Sequence, residues 1–296
     1  MLRRLLLLFF FLSTTIWATT VSGYRGACVE NDAQGCYELA LILDKNASGK
    51  KALLDVAELY AKSCMLGYAD GCTNLGLIFF NGRGVKKNGK RASKLFAKAC
   101  QNKSYVGCSN LGYMFDNGIV VKKDKKYALF LYELSCEHNV TIGCRNSGVA
   151  YHQVEPQKRD YKKAHYYYEK ACSAGDMVAC NNLGTLYQYA KGVKRDYKKS
   201  FMFYAKSCVG GNAMACSNVG YQYYNGLGVK KDLQKACKHY RVASDSGDAF
   251  GAYNLGFSYY IGLGVSKDLY QAKALFKKAC DRGYKQGCLF LTTGKF

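Results

Sequence analysis

Aromatic, small and polar positions return along the chain with a fixed step of 36 residues. Tyr60, Phe96, Tyr132, Tyr168, Tyr204, Tyr240 and Phe276 form one series. Asn follows the first six of these by fourteen residues: Asn74, Asn110, Asn146, Asn182, Asn218 and Asn254. Two residues later comes Gly, from Gly76 to Gly256, and three later again an aromatic, from Phe79 to Tyr259. A period of this size marks one structural unit repeated in an array. Leu75 and Phe79 are four apart and share a face with Cys72, the spacing of an amphipathic helix. Gly76 in mid-helix costs ~1 kcal/mol against Ala, so its recurrence predicts a second helix pressed close against it. The first helix stops at Asn81-Gly82-Arg83-Gly84, and the signal recurs at Asn225-Gly226-Leu227-Gly228 and Ile261-Gly262-Leu263-Gly264.

After each stop come a Val, basic residues and an Asp or Asn, as in Val229-Lys230-Lys231-Asp232. Asp232 is predicted to cap a second helix, with Ala236, Tyr240 and Ala243 facing inward. The unit is therefore an αα-hairpin. Seven are expected over residues 24–287, followed by a short cap over 288–296, and their stacking buries a continuous core. Two loops depart from the pattern: Leu43 to Gly49, and Gln153 to Gln157, which holds the chain's single Pro. Lys158 and Asp160 remain in phase after the second.

Fourteen of the 15 cysteines keep the same step, as Cys28/Cys36, Cys64/Cys72, Cys100/Cys108, Cys136/Cys144, Cys172/Cys180, Cys208/Cys216 and Cys280/Cys288. The slot at 244/252 holds Ser244 and Ala252. Pairing across the seven-residue gap leaves no orphan when both members of that slot are lost. Pairing across the longer gap would orphan Cys216 and Cys280 and leave Cys28 and Cys288 single. The shorter pairing is therefore expected, each bridge contributing ~2–3 kcal/mol in the chain-entropy model. Cys237 is left as a free thiol, expected to be partly exposed. Its counterparts are Ala57, Ser93, Leu129, His165, Phe201 and Lys273. His138, His152, His165 and His239 share no slot and no ligand spacing, so no metal site or cofactor is predicted.

The 36-residue step with paired cysteines, the Asn-Leu-Gly of the first helix and the Gly-x-Gly-Val loop resemble the Sel-one-like repeat, a relative of the tetratricopeptide repeat. The disulfide-bearing version is similar to the Helicobacter cysteine-rich proteins. The resemblance covers about residues 24–296. It implies an all-α, right-handed αα-solenoid superhelix clamped by disulfides. It also implies β-lactamase or penicillin-binding activity. Ser48-Gly49-Lys50-Lys51 supplies a formal Ser-x-x-Lys in the irregular first loop, but the Ser-Asp-Asn and Lys-Thr-Gly elements are absent. No catalytic residue is assigned.

Composition narrows the setting. Hydrophobic residues make up 49% of the chain, which excludes intrinsic disorder. Arg3 and Arg4, the apolar run from Leu5 to Ile16 and the small residues Ala18 to Gly23 read as a signal peptide over residues 1–23. The run is too short to span a bilayer. Abundant cysteine suits an oxidising compartment, so a secreted or periplasmic protein is expected, with no transmembrane segment after cleavage. The 43 Lys+Arg against 21 Asp+Glu give a net charge of +22, and Lys pairs recur at Lys86-Lys87, Lys122-Lys123, Lys162-Lys163, Lys198-Lys199 and Lys230-Lys231. Such charge attracts acidic surfaces, while export argues against nucleic acid.

The six asparagines have variable neighbours. One slot reads Ile78, Met114, Ala150, Leu186, Gln222 and Ser258; another reads Phe80, Asp116, His152, Gln188, Tyr224 and Tyr260. A fixed amide beside variable side chains suits a concave face that holds an extended peptide. The other reading is that the amides bond between adjacent repeats. The expected function is an exported scaffold that binds proteins or peptides of host or cell-envelope origin.

Overall fold

The computed structural model describes residues 20–153 and 159–293. Most of the expected signal peptide, residues 154–158 of the Pro-containing loop, and 294–296 lie outside the described residues. Among those described the fold is all helix, with no strand. Contacts divide the chain into two compact units, Met1–Gly143 and Cys144–Phe296.

In the first unit a helical segment over 20–29 precedes three αα-hairpins. These are α1 (Ala33–Asp44) with α2 (Gly49–Met65), α3 (Ala69–Asn81) with α4 (Gly89–Gln101), and α5 (Tyr105–Asn117) with α6 (Lys125–Glu137). The second unit opens with α7 (Thr141–Gln153), which pairs with α8 (Tyr161–Ser173). It continues with α9 (Met177–Gln188) and α10 (Tyr197–Val209), α11 (Ala213–Asn225) and α12 (Leu233–Asp245), and α13 (Ala249–Ile261) and α14 (Leu269–Asp281). The single helix α15 (Lys285–Thr293) ends it. Seven hairpins result, as the 36-residue step requires.

Local chemistry sets the boundaries. The side chains of Asn88, Asp124, Asp160, Asp196 and Asp232 each accept a hydrogen bond from the backbone N–H three residues on, so the phased Asp or Asn caps the second helix of successive hairpins. Asp160 keeps that role after the divergent loop. First helices end at Gly82, Gly118, Gly226 and Gly262, all in the left-handed region.

The glycines in mid-helix answer to close packing. A Cβ on Gly76 would lie 2.6 Å from the Phe96 ring, and one on Gly220 would lie 2.7 Å from the Tyr240 ring. The aromatic series is at most 2% exposed and forms the centre of each hairpin. A second compensation appears in the loop slot of Gly84, Gly192, Gly228 and Gly264. There a Cβ would strike the backbone or Cβ of Leu53, Tyr161, Tyr197 or Leu233, 31 residues earlier. In one repeat that slot is Val120, at a φ of 56°, and its partner 31 residues earlier is Gly89. The missing side chain at 89 makes room for the extra one at 120.

Two kinds of contact clamp successive hairpins. Disulfides join Cys28–Cys36, Cys64–Cys72, Cys100–Cys108, Cys172–Cys180, Cys208–Cys216 and Cys280–Cys288, with Cα–Cα distances of 4.4–4.8 Å. Cys136 and Cys144 are also disulfide-bonded. Each resolved bridge ties the end of one second helix to the start of the next first helix. In addition, the ammonium groups of Lys62, Lys98 and Lys206 donate to the carbonyls of Cys28, Cys64 and Cys172, 34 residues earlier. A cation at a helix C-terminus also meets the negative end of the helix dipole. Part of the basic excess is thus structural.

Candidate functional site

The buried tyrosines of the second helices carry hydroxyls that must be satisfied at the hairpin surface. Burial pushes the Tyr60 and Tyr204 phenols up to about 12 and raises Tyr132, Tyr168 and Tyr240 as well. The Tyr60 hydroxyl donates to Asp44 Oδ2 at 3.4 Å. Asp44 is in turn paired with Arg83. Tyr168 reaches His152 Nδ1 at 3.3 Å and the Asn182 side chain. Tyr204 shares a hydrogen bond with Thr185 Oγ1 at 3.1 Å. Among the described residues, Tyr132 and Tyr240 have no hydrogen-bond partner for their hydroxyls.

The fixed asparagines divide accordingly. Asn74 and Asn182 stand beside the Tyr of the preceding second helix. Asn218 Nδ2 donates to Asn181 Oδ1 of the adjacent repeat at 3.0 Å, and Asn254 Nδ2 donates to the Phe250 carbonyl at 2.8 Å. Asn110 Nδ2 is buried with no partner; Phe96, at the corresponding slot, offers no hydroxyl. Asn146 is half-buried.

One group of predicted surface positions is core instead. Ile78, Met114, Leu186, Gln222 and Ser258 are at most 4% exposed, and Ala150 is half-buried. A first helix packs on its own second helix and also on neighbouring first helices, as α3 does on α5 and α11 on α13. Two of its sides are therefore covered. Gln222 meets this burial by donating to Ser200 Oγ at 2.8 Å. The second variable slot is half-buried, apart from buried Gln188.

Cys237 is likewise buried, at 4% exposure, and not partly exposed as its variable slot suggests. The loop at Gly264 lies over it, and the thiol donates to the Leu263 carbonyl at 3.3 Å. Burial pushes its pKa up. Ser48 caps α2 without a side-chain hydrogen bond, and both Ser48 and Lys51 are exposed. Among the described residues no cluster of His, Cys, Asp or Glu is placed to hold a metal ion. No described helix is long and apolar enough to cross a membrane.

Two pockets lie at the same repeat slots. In the first unit Leu41, Asp44, Tyr60, Asn74, Leu77, Ile78, Asn81 and Arg83 line about 260 Å³. In the second unit Tyr221, Tyr224, Asn225, Tyr240, Tyr253, Asn254 and Phe257 line about 220 Å³. Five lining positions correspond across 180 residues: 41/221, 44/224, 60/240, 74/254 and 77/257. Each pocket sits between successive first helices, with the buried Tyr of the intervening second helix and a fixed Asn at its base.

The model of the Sel1 repeat matches residues 69–104, 106–140, 144–176, 178–212, 213–248 and 249–284. The chain belongs to the Sel1 repeat family. Among solved structures, this Sel1 chain is similar to a protective antigen of uropathogenic Escherichia coli with an SLR fold. The identity is 25% and the TM-score 0.78, over 93% of this chain and 60% of that one. The chain thus spans less than two thirds of that protein's length. A Sel1 repeat protein from Oxalobacter formigenes is 27% identical with a TM-score of 0.70, over 78% of this chain and 98% of the other. Helicobacter pylori cysteine rich protein B is 36% identical over 44% of this chain and 93% of its own, with a TM-score of 0.37. Comparison with curated proteins finds no match.

Proposed function

We propose that this Sel1-repeat protein is an exported scaffold that binds proteins or extended peptides on the face built by its first helices. The recurring pocket carries this reading. The repeat fixes a buried Tyr and an Asn at its base, while the walls change from Leu41, Asp44 and Leu77 to Tyr221, Tyr224 and Phe257. A constant base with variable walls is how one architecture is adapted to different side chains of a ligand. The net charge of +22 favours acidic partners, and the disulfides fit an oxidising compartment.

Binding of the oxidised protein to an array of capped acidic and basic peptides tests the proposal. Retention of acidic peptides, weakened at least ~10-fold by Phe257→Arg, is the expected result for loss of one buried contact. Binding that ignores this wall change would overturn it. Nitrocefin turnover abolished by Ser48→Ala would instead favour the hydrolase that the family resemblance implies.

A further inference from the structure

We propose that the pocket around Tyr240 holds a single tyrosine side chain of an acidic peptide segment, with the Tyr240 hydroxyl as its hydrogen-bonding partner. This rests on the scaffold reading above and names the ligand of one of its pockets. The volume of about 220 Å³ lies below the range for whole small-molecule ligands and suits one large side chain. The walls are aromatic: Tyr221, Tyr224, Tyr253 and Phe257. Rings of this kind receive another ring edge-on or offset.

Three observations select the ligand. Tyr240 is 2% exposed, borders the pocket and, among the described residues, has no hydrogen-bond partner for its hydroxyl. A ring that covered this hydroxyl without bonding it would strip its water and leave it unpaired at a cost, so an incoming hydroxyl gains more there than a purely apolar ring. Secondly, Asn254 Nδ2 is engaged by the Phe250 carbonyl, which leaves the amide oxygen as an acceptor at the pocket base. A phenol supplies both a donor and an acceptor. Thirdly, Lys231 stands 5.9 Å over the Tyr224 ring, beside the exposed Lys230. The nearby carboxylates are already used, Asp232 by Lys235 and Asp248 by Ser217 and Gly251. The rim therefore favours acidic flanks and disfavours a cationic side chain.

The array supplies its own control. Phe96 and Phe276 occupy the Tyr240 slot in other repeats and are as deeply buried, so Tyr240→Phe is a substitution the hairpin already accommodates. The probes are fluorescein-labelled, capped peptides with a central Tyr, Phe, Ala or Lys between glutamates, followed by fluorescence polarisation at low salt. For the wild type the expected order is Tyr, then Phe, then Ala and Lys. Tyr should exceed Phe by about fivefold, the contribution of one hydrogen bond. Tyr240→Phe should abolish the Tyr-over-Phe preference. Peptides that bind equally whatever the central residue, or a preference that survives Tyr240→Phe, would overturn the pocket assignment alone. Failure of every acidic peptide to bind would overturn it together with the scaffold reading.

Discussion

The pockets around Tyr60 and Tyr240 occupy the same slots, yet their surroundings differ at nearly every variable position. At Tyr60 the phenol is satisfied from within, because Asp44 accepts from it and Arg83 neutralises Asp44. At Tyr240 the position of Asp44 is taken by Tyr224, and no described residue bonds the hydroxyl. The flanking turns differ too. Cys64–Cys72 clamps the turn beside the first pocket, whereas Ser244 and Ala252 leave the turn beside the second unbridged. The backbone of a repeat fixes where a pocket forms. A few side chains then decide whether the hydroxyl at its base is bonded within the protein or left for a ligand.

The largest expected effect lies in the clamp. Ser244→Cys with Ala252→Cys should form a further bridge and raise stability by ~2–3 kcal/mol, and Cys64→Ser with Cys72→Ala should cost a similar amount. Urea unfolding of the oxidised variants measures both, and equal midpoints would refute the role given to the bridges. The Ser244 hydroxyl, buried without a partner, is a cost that the first substitution also removes.

Next comes the packing beneath each ring. Ala40 fills in the first hairpin the slot that Gly220 holds beside Tyr240. Gly220→Ala would bring a Cβ within 2.7 Å of the Tyr240 ring, and overpacking of this kind costs ~1–3 kcal/mol. Helix propensity offsets ~1 kcal/mol of that. A net loss is expected on chemical denaturation; a net gain would show that the ring yields freely.

Acid should separate the two pockets less strongly. His239 stands where the first pocket's hairpin has Leu59, and burial lowers its pKa below the usual imidazole value. The folded state thus prefers the neutral ring. Its stability contribution is complete above the unfolded value of about 6.5 and is lost as pH falls below it. His239→Leu should flatten the decline in thermal midpoint between neutral and mildly acidic pH. An unchanged slope would remove His239 from the acid response. The smallest effect is expected at Cys237, the counterpart of Ala57. Its buried, raised thiol should resist a thiol reagent in the native protein and react on unfolding. Rapid labelling of native protein would show that the Gly264 loop opens.

Much of this was legible in the sequence. The 36-residue step identifies the hairpins, the capping Asp and the close approach at mid-helix Gly, because each is a local or pairwise demand repeated in register. The burial of Ile78 and Gln222 was not legible. A single apolar stripe on a short helix does not reveal that its adjacent side is covered by other first helices. Cys237 misled for a related reason. Its slot tolerates Lys273 and His165 in other repeats, so sequence variability hides how tightly the Gly264 loop closes over this one thiol. The asparagines were legible as a series but not as individuals, since Asn218 bonds to Asn181 and Asn254 to the Phe250 carbonyl although the rings at their base, Tyr204 and Tyr240, both carry hydroxyls. The Tyr240 pocket required the coordinates, because only they show aromatic walls gathered around a hydroxyl that no described residue bonds.

The most direct test is an amide and side-chain NMR titration of the oxidised protein with the central-Tyr acidic peptide. Saturable shifts are expected at Tyr221, Tyr253 and Asn254, with Leu41, Asn74 and Leu77 unmoved. Shifts centred on Asn74 and Leu77, or spread evenly over both sets, would contradict the distinction between a hydroxyl bonded within the protein and one left for a ligand.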